Sequence, residues 1–382
     1  MNNKTKTPFH GLKTNFAKQY AKLYPKEIFI GIIGSAGRTT CLDACNSILS
    51  QKFKVLSSKL NSDPFFNIPQ TLLNITPKVK KVILDMGIEY GGEMDFYLSM
   101  VHPKTIICTK ITYDHSEKLG DLDEIIEENG KSLEQLGNDG VAILNWDDPI
   151  TKKLAKKCLG NIVYFGEDSQ NCTVWAGNIK IENFRTTFEL NLGVERVKIN
   201  YQLLGVHQIY PSLAAAALGV INNVPLTKIK LALESIEPLE HNMQIIGGPS
   251  GSIIIDDTYD SSPNTLDGAI DTLLRVSARR RVLVLGEMRE LGKFSDMLHR
   301  QAAQKIFKEK IDLIFLGQGD AQIIADELKN LGFLEERVEA NLQNSQIVGK
   351  LLKTLGKGDV VLVKGAYAVR LDEVVKRIAR KI

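Results

Sequence analysis

Six apolar or small residues, Ile28 to Ile33, run without a break into Gly34-Ser35-Ala36-Gly37-Arg38-Thr39-Thr40. An apolar run this short reads as a buried strand. Beyond it, Thr39–Leu49 sets Leu42, Cys45, Ile48 and Leu49 on one face, which reads as a helix. A strand, a glycine-rich turn and a helix start converge backbone N–H groups on one point, and the helix dipole adds positive charge there. Gly34 and Gly37 let a phosphate approach the backbone without a Cβ in the way. Thr39 holds the position of the Mg²⁺-binding hydroxyl in such loops, and lysine normally precedes it. Here Arg38 precedes it, a planar fork in place of a compact ammonium. The alternative is a purely structural turn.

The rest of the sequence supplies a sheet for this loop. Apolar runs at Val82–Met86, Thr105–Ile111 and Val141–Leu144 alternate with helical segments, the pattern of a parallel sheet covered by helices. After Cys172 the texture changes. Thr173–Ile181, Thr186–Leu192 and Val197–Leu203 read as antiparallel strands, and helices follow at Ser212–Ile221 and Leu226–Ile236. Pro238 to Asn242 reads as a linker. A second α/β unit then has strands at Ile253–Asp256, Val282–Leu285, Leu313–Leu316 and Val360–Val363, with a last helix at Val369–Ile382. The expected organisation is an N-terminal helical extension (1–27), a P-loop-type parallel-sheet domain with a small antiparallel sheet (28–240), and a Rossmann-like domain (241–382).

Composition narrows the function. A net charge of +3 over 382 residues, without a basic block, argues against nucleic acid as a main partner. No apolar run reaches membrane-spanning length. Phe9, Leu12, Phe16, Tyr20 and Leu23 recur at helical spacing among lysines, as a helix docked on the first domain or lying on a membrane surface. The five cysteines include no Cys-x-x-Cys, so they read as reduced thiols in a cytoplasm. Cys41 and Cys45 are read as packing.

Motifs along nearly the whole chain resemble the central and C-terminal domains of the Mur ligase family, on the branch that completes the cell-wall pentapeptide precursor. They are the loop Gly31–Thr40, Leu84-Asp85-Met86-Gly87, Ile111-Thr112-Tyr113-Asp114-His115, Leu144-Asn145-Trp146-Asp147-Asp148 and Gly205-Val206-His207. The second unit adds Ile255-Asp256-Asp257-Thr258-Tyr259, Leu285-Gly286-Glu287-Met288-Arg289-Glu290-Leu291-Gly292 and Val361-Leu362-Val363-Lys364-Gly365.

The resemblance implies ATP-dependent amide-bond formation through an acyl phosphate, on a peptidoglycan-precursor substrate. ATP and Mg²⁺ are the implied cofactors. Gly34, Ser35, Ala36, Gly37, Arg38, Thr39, Thr40, Asn145, Gln208 and Asp257 would hold the nucleotide. Thr39, Asp85 and His115 would ligate Mg²⁺. Arg38, His115 and Lys364 would act in catalysis.

The departures fall on nucleotide handling. Arg38 stands for the loop lysine and Ala36 for an asparagine. Asn129 stands for a carbamylated lysine, Gln208 and Pro211 for adenine-reading asparagines, and Asn242 for an arginine. The family's UDP-sugar domain has no counterpart ahead of Ile28, so a partner protein in its place is an expectation. Three readings stay open: a cell-wall-type ligase, a catalytically degenerate relative that binds or scaffolds, and a ligase for a folate or a polyamino acid. Taken singly, Asp85 and Asp257 could instead cap turns. Lys364 and Arg370 could lie on a solvated face. His299 and Trp146 are expected to pack.

Overall fold

A computed structural model describes residues 8–380. The first sheet has nine strands: β1 (Phe29–Ile33), β2 (Val55–Ser57), β3 (Lys81–Asp85), β4 (Thr105–Cys108), β5 (Val141–Asn145), β6 (Asn161–Gly166), β7 (Val174–Glu182), β8 (Arg185–Leu192) and β9 (Glu195–Tyr201). Their order is β2-β3-β1-β4-β5-β6-β7-β8-β9. The strands are parallel as far as β7, and β7, β8 and β9 are antiparallel to one another. The antiparallel strands read from the sequence thus continue the edge of the main sheet.

The helices of this unit are α1 (Pro8–Ala21), α2 (Arg38–Ser50), α3 (Pro64–Leu73), α4 (Glu93–Met100), α5 (Ser116–Leu119), α6 (Leu122–Glu134), α7 (Pro149–Ala155), α8 (Ile209–Ile221) and α9 (Leu226–Glu234). Strand pleating divides the core. Ile30 and Ile32 of β1 pack under α2, α8 and α9, while Phe29 and Ile33 face α1, α3, α4 and α6. All five residues of β1 are buried, as its unbroken apolar run requires.

The second sheet holds β10 (Gln244–Gly247), β11 (Ile253–Asp257), β12 (Arg281–Leu285), β13 (Leu313–Gly317), β14 (Val338–Leu342) and β15 (Val360–Lys364), in the order β10-β11-β15-β12-β13-β14. Only β10 runs antiparallel. Its helices are α10 (Pro263–Arg275), α11 (Ser295–Lys308), α12 (Ala321–Asn330), α13 (Asn344–Thr354) and α14 (Leu371–Ile378). The first three share one core with the sheet, and the last two share the other. This is the doubly wound arrangement expected from the alternating pattern.

Several elements differ from the sequence reading. The strand expected over Thr105–Ile111 stops at Cys108, where the chain turns beneath the glycine loop and Thr109 donates to the Ile33 carbonyl through both N and Oγ1. The last helix begins at Leu371 because Arg370 takes a left-handed φ of 56°. It ends at Ile378, where Ala379 turns extended and Arg380 pairs with Gly247. β2, β6, β10 and β14 have no counterpart among the expected strands.

Helix α1 docks on the first domain, using only Tyr20 of the described residues its spacing suggests. Ala17 and Ala21 are buried, and Tyr20 donates to the Ile75 carbonyl at 2.7 Å, while Leu12, Phe16 and Leu23 stay exposed. Small alanines let the helix approach α3 and α4 closely. The five cysteines are free, and Cys41 and Cys45 pack with sulfurs 3.9 Å apart. No helix among the described residues is long and apolar enough to cross a membrane.

Candidate active site

One cavity of about 1200 Å³ lies between the two domains. Its lining includes every residue named for the nucleotide, the metal or catalysis except Gly34. Strand register explains the convergence. In the first sheet β1 lies between β3 and β4, with Ile32 beside Asp85 and Ile33 beside Cys108. The loop after β1 therefore emerges between Asp85 and Lys110. In the second sheet β15 lies between β11 and β12, with Lys364 beside both Asp257 and Leu285.

The loop's backbone donors are divided. The Gly34 N–H donates to Asn129 Oδ1 at 3.2 Å, and the N–H groups of Ser35 and Ala36 donate to the Lys110 carbonyl at 2.6 and 3.1 Å. Gly37 takes φ 82° and caps α2. A Cβ there would lie 2.9 Å from Pro211 Cγ, so only glycine fits. The N–H groups of Arg38, Thr39 and Thr40 are those a helix start leaves without an intrahelical acceptor. They and the dipole form the part of the loop open to an anion.

Arg38 turns back into the loop. Its Nε donates to Asp85 Oδ1 at 3.0 Å, and its Nη1 donates to the carbonyls of Gly34 and Ser35. Desolvation opposes its charge, but Asp85 and Asp114 outweigh it, and the guanidinium is held ionised. Asp85 Oδ1 also accepts the Gly87 N–H at 3.0 Å.

Thr39 donates to Asn61 at 3.4 Å, and Thr40 donates to Gln208 at 3.3 Å. Asn145 accepts the Asp147 N–H and is buried. Asp148 Oδ2, nearby, is a buried oxygen for which no protein hydrogen bond is found among the described residues.

His115, at φ 50°, pairs through Nδ1 with Glu290 of the second domain, which also accepts from Lys118 at 3.3 Å. That pair holds Glu290 down at about 2, and His115 is raised because Glu290 and Asp114 outweigh its desolvation. The same contact includes Glu117 N–H to the Glu290 carbonyl at 3.0 Å and Ser116 Oγ to the Leu291 carbonyl at 3.2 Å. Burial, with Asp260 and Glu290 nearby, pushes Asp114 up to about 6 against the pull of His115 and Arg38.

Lys364 is 1% exposed. It donates to Asp257 Oδ2 at 2.6 Å and to the Asp260 carbonyl at 2.7 Å. The solvated-face reading fails for it, because its register neighbours bury it. Arg370, by contrast, ion-pairs with Asp372 and Glu373. Asp257 also accepts the Met243 N–H at 3.2 Å. His207 is pushed down to about 4, chiefly by burial, so it is neutral near pH 7. Trp146 packs on Tyr164 and lies outside the cavity lining. His299 is buried, accepting the Met288 N–H and sharing Nδ1 with the Ser295 carbonyl.

The donor set does not fit a divalent cation. Asp85 is engaged through Oδ1 by Arg38 and Gly87, and His115 through Nδ1 by Glu290, while Thr39 Oγ1 meets Asn61 at 3.4 Å. Asn129 holds the Gly34 N–H and donates to the Ile125 carbonyl at 2.9 Å. Among the described residues no group of three or more His, Cys, Asp or Glu side chains is placed to hold a metal.

Sequence reasoning missed Glu290 and Asp114 as site residues, although both lie inside quoted motifs. Their role depends on contact between domains, which spacing along the chain does not reveal.

This fold and cleft are those of a two-domain, nucleotide-dependent ligase architecture. The family model for the Mur ligase middle domain matches residues 32–219, and that for the Mur ligase glutamate ligase domain matches 241–367. The chain belongs to the Mur ligase family. It is 27% identical over 364 residues to the UDP-N-acetylmuramoyl-tripeptide–D-alanyl-D-alanine ligase of Bacillus subtilis, covering 94% of this chain and 78% of that one. The corresponding ligase of Buchnera aphidicola is 27% identical over 354 residues, covering 92% and 75%. The fold is shared with MurF from Acinetobacter baumannii (TM-score 0.87, 20% identity, 96% of this chain and 80% of that one). It is also shared with the MurF ligase from Thermotoga maritima in complex with ADP (TM-score 0.84, 19% identity, 99% and 86%).

Proposed function

We propose that the protein joins a carboxylate to an amine at the expense of ATP, on a peptidoglycan precursor. One observation carries this reading. A single cavity brings the start of α2 in one domain to face Asp257 and Lys364 of the other. A phosphoryl donor at α2 and an acceptor held by the second domain would meet there. Support comes from the relatives named for D-alanyl-D-alanine addition and from the related ligase whose structure contains ADP.

In the reaction, a carboxylate oxygen of the acceptor bonds to the γ-phosphorus as the bond to the β-phosphate oxygen breaks, and ADP leaves. The amine nitrogen then bonds to the acyl carbon, inorganic phosphate leaves, and the amine gives up a proton. The N–H groups of Arg38, Thr39 and Thr40, with the α2 dipole, would receive the phosphates. Gln208, which accepts from Thr40, and Asn145 line the same cavity and would border the nucleotide. Asp114, pushed up to about 6, is suited to take the amine's proton near neutral pH. His115, paired with Glu290, ties the two domains together across the cleft.

A second reading, a Mur-type fold retained for binding without turnover, is favoured by Arg38 and Asn129 both being spent inside the loop. Incubation with ATP, a muramoyl-tripeptide precursor and D-alanyl-D-alanine separates the two. Release of phosphate in step with an amide product, followed by mass spectrometry, supports the ligase. Nucleotide binding without product, in the presence of every candidate precursor, supports binding only.

A further inference from the structure

Arg38 does more than replace one cation with another. Its guanidinium makes three hydrogen bonds at once, to Asp85 Oδ1, the Gly34 carbonyl and the Ser35 carbonyl. A lysine ammonium on a flexible stem cannot present donors in that fixed plane. The plane rests on Gly87, where a Cβ would come within 2.4 Å of Nη2. Gly87 also donates its N–H to the same carboxylate oxygen. The fork is thus fitted on both sides, by a carboxylate in front and a bare backbone below. Asp114 adds a second negative charge to the guanidinium's surroundings. The Gly34 carbonyl that Arg38 uses is itself held in place, because the Ser35 N–H of the same peptide unit donates to the Lys110 carbonyl at 2.6 Å.

We propose that Arg38 is a built-in counter-cation that closes Asp85 to divalent metal, so that the loop takes a phosphorylated ligand without one. The proposal rests on the nucleotide-dependent reading of the cleft and deepens it: Arg38 cancels the Asp85 charge that would oppose a phosphate, and the N–H groups and dipole at the start of α2 receive the anion. It predicts a reversible relation between one residue and a metal requirement. Arg38→Lys releases Asp85, because the ammonium cannot span Asp85 and both carbonyls. The carboxylate then becomes free to ligate.

The test has two arms. In the first, calorimetry measures ADP binding to the full-length protein in EDTA and in MgCl₂. The wild type is expected to bind with affinities within about threefold of each other, a difference of well under 1 kcal/mol. Arg38→Lys is expected to bind at least about tenfold more tightly with Mg²⁺ than without. In the second arm, Mn²⁺ alone is titrated against the protein and followed by electron paramagnetic resonance. The wild type is expected to leave the free-ion signal unchanged. Arg38→Lys is expected to bind Mn²⁺, and Arg38→Lys with Asp85→Asn to lose it. A thermal melt of each variant confirms that it is folded.

A wild-type protein that binds Mn²⁺ through Asp85, or whose ADP affinity rises tenfold with Mg²⁺, overturns the proposal. ADP binding in neither condition removes the nucleotide reading and, with it, the claim of metal-free ligand binding. The Mn²⁺ arm still decides whether Arg38 closes Asp85.

Discussion

Lys364 gives the sharpest energetic prediction. It is a fully buried cation with two of its three donors used, on Asp257 Oδ2 at 2.6 Å and on the Asp260 carbonyl at 2.7 Å. Asp257 is 7% exposed, and its other oxygen has only the Met243 N–H. Lys364→Met removes the cation and leaves the carboxylate buried with one neutral donor. Breaking one side of a buried pair costs about 3–5 kcal/mol, most of it the stranded charge. At roughly 2–4 °C per kcal/mol for a unit of this size, the melting temperature falls by about 10 °C. Adding Asp257→Asn removes the stranded charge, so the double variant should recover most of that loss. Urea unfolding of the four members of the cycle measures the coupling. A loss below about 1 kcal/mol for Lys364→Met, or no recovery in the double variant, refutes the reasoning.

Other expectations follow from single contacts. Asp359 is fully buried; burial alone would raise it, but Arg280 and Arg279 outweigh that and hold it down at about 2. Its folded value lies below the unfolded one, so it contributes about 2 kcal/mol above pH 4, lost as pH falls through 2; Asp359→Asn should flatten unfolding free energy against pH in that window. Gly37→Ala, at φ 82° and against Pro211, should cost about 1–2 kcal/mol for the backbone alone and weaken ADP binding, measured by melting and calorimetry. Pro211→Ala in the same chain should relieve only the contact. Asn129→Ala strands the buried Gly34 N–H, while the Ile125 carbonyl keeps its bond within α6, and should cost about 1–3 kcal/mol in a denaturant titration.

Much of this architecture was legible in the sequence because burial leaves a plain mark. The strands beside the loop are short apolar runs, and β1 is buried along its whole length. The elements that escaped lack that mark. β2 has three residues, none fully buried, and β14 is exposed at alternate positions. Helix α1 misled in the opposite direction: Leu12 and Phe16 are exposed, and Ala17, Ala21 and Tyr20 make the contact.

In the site, the residues were found but not their pairing. Asp85 and Asp257 both stood as candidates for binding or capping. Only strand register reveals that one faces Arg38 and the other Lys364. The link between His115 and Glu290 joins residues 175 apart in the chain and could not be read from spacing.

The most direct test is a structure with a non-hydrolysable ATP analogue. The analogue's phosphates are expected against the N–H groups of Arg38, Thr39 and Thr40, with the Arg38 guanidinium still on Asp85. Phosphates bound away from α2, or an interdomain cavity that takes no nucleotide at saturating analogue, would contradict that expectation.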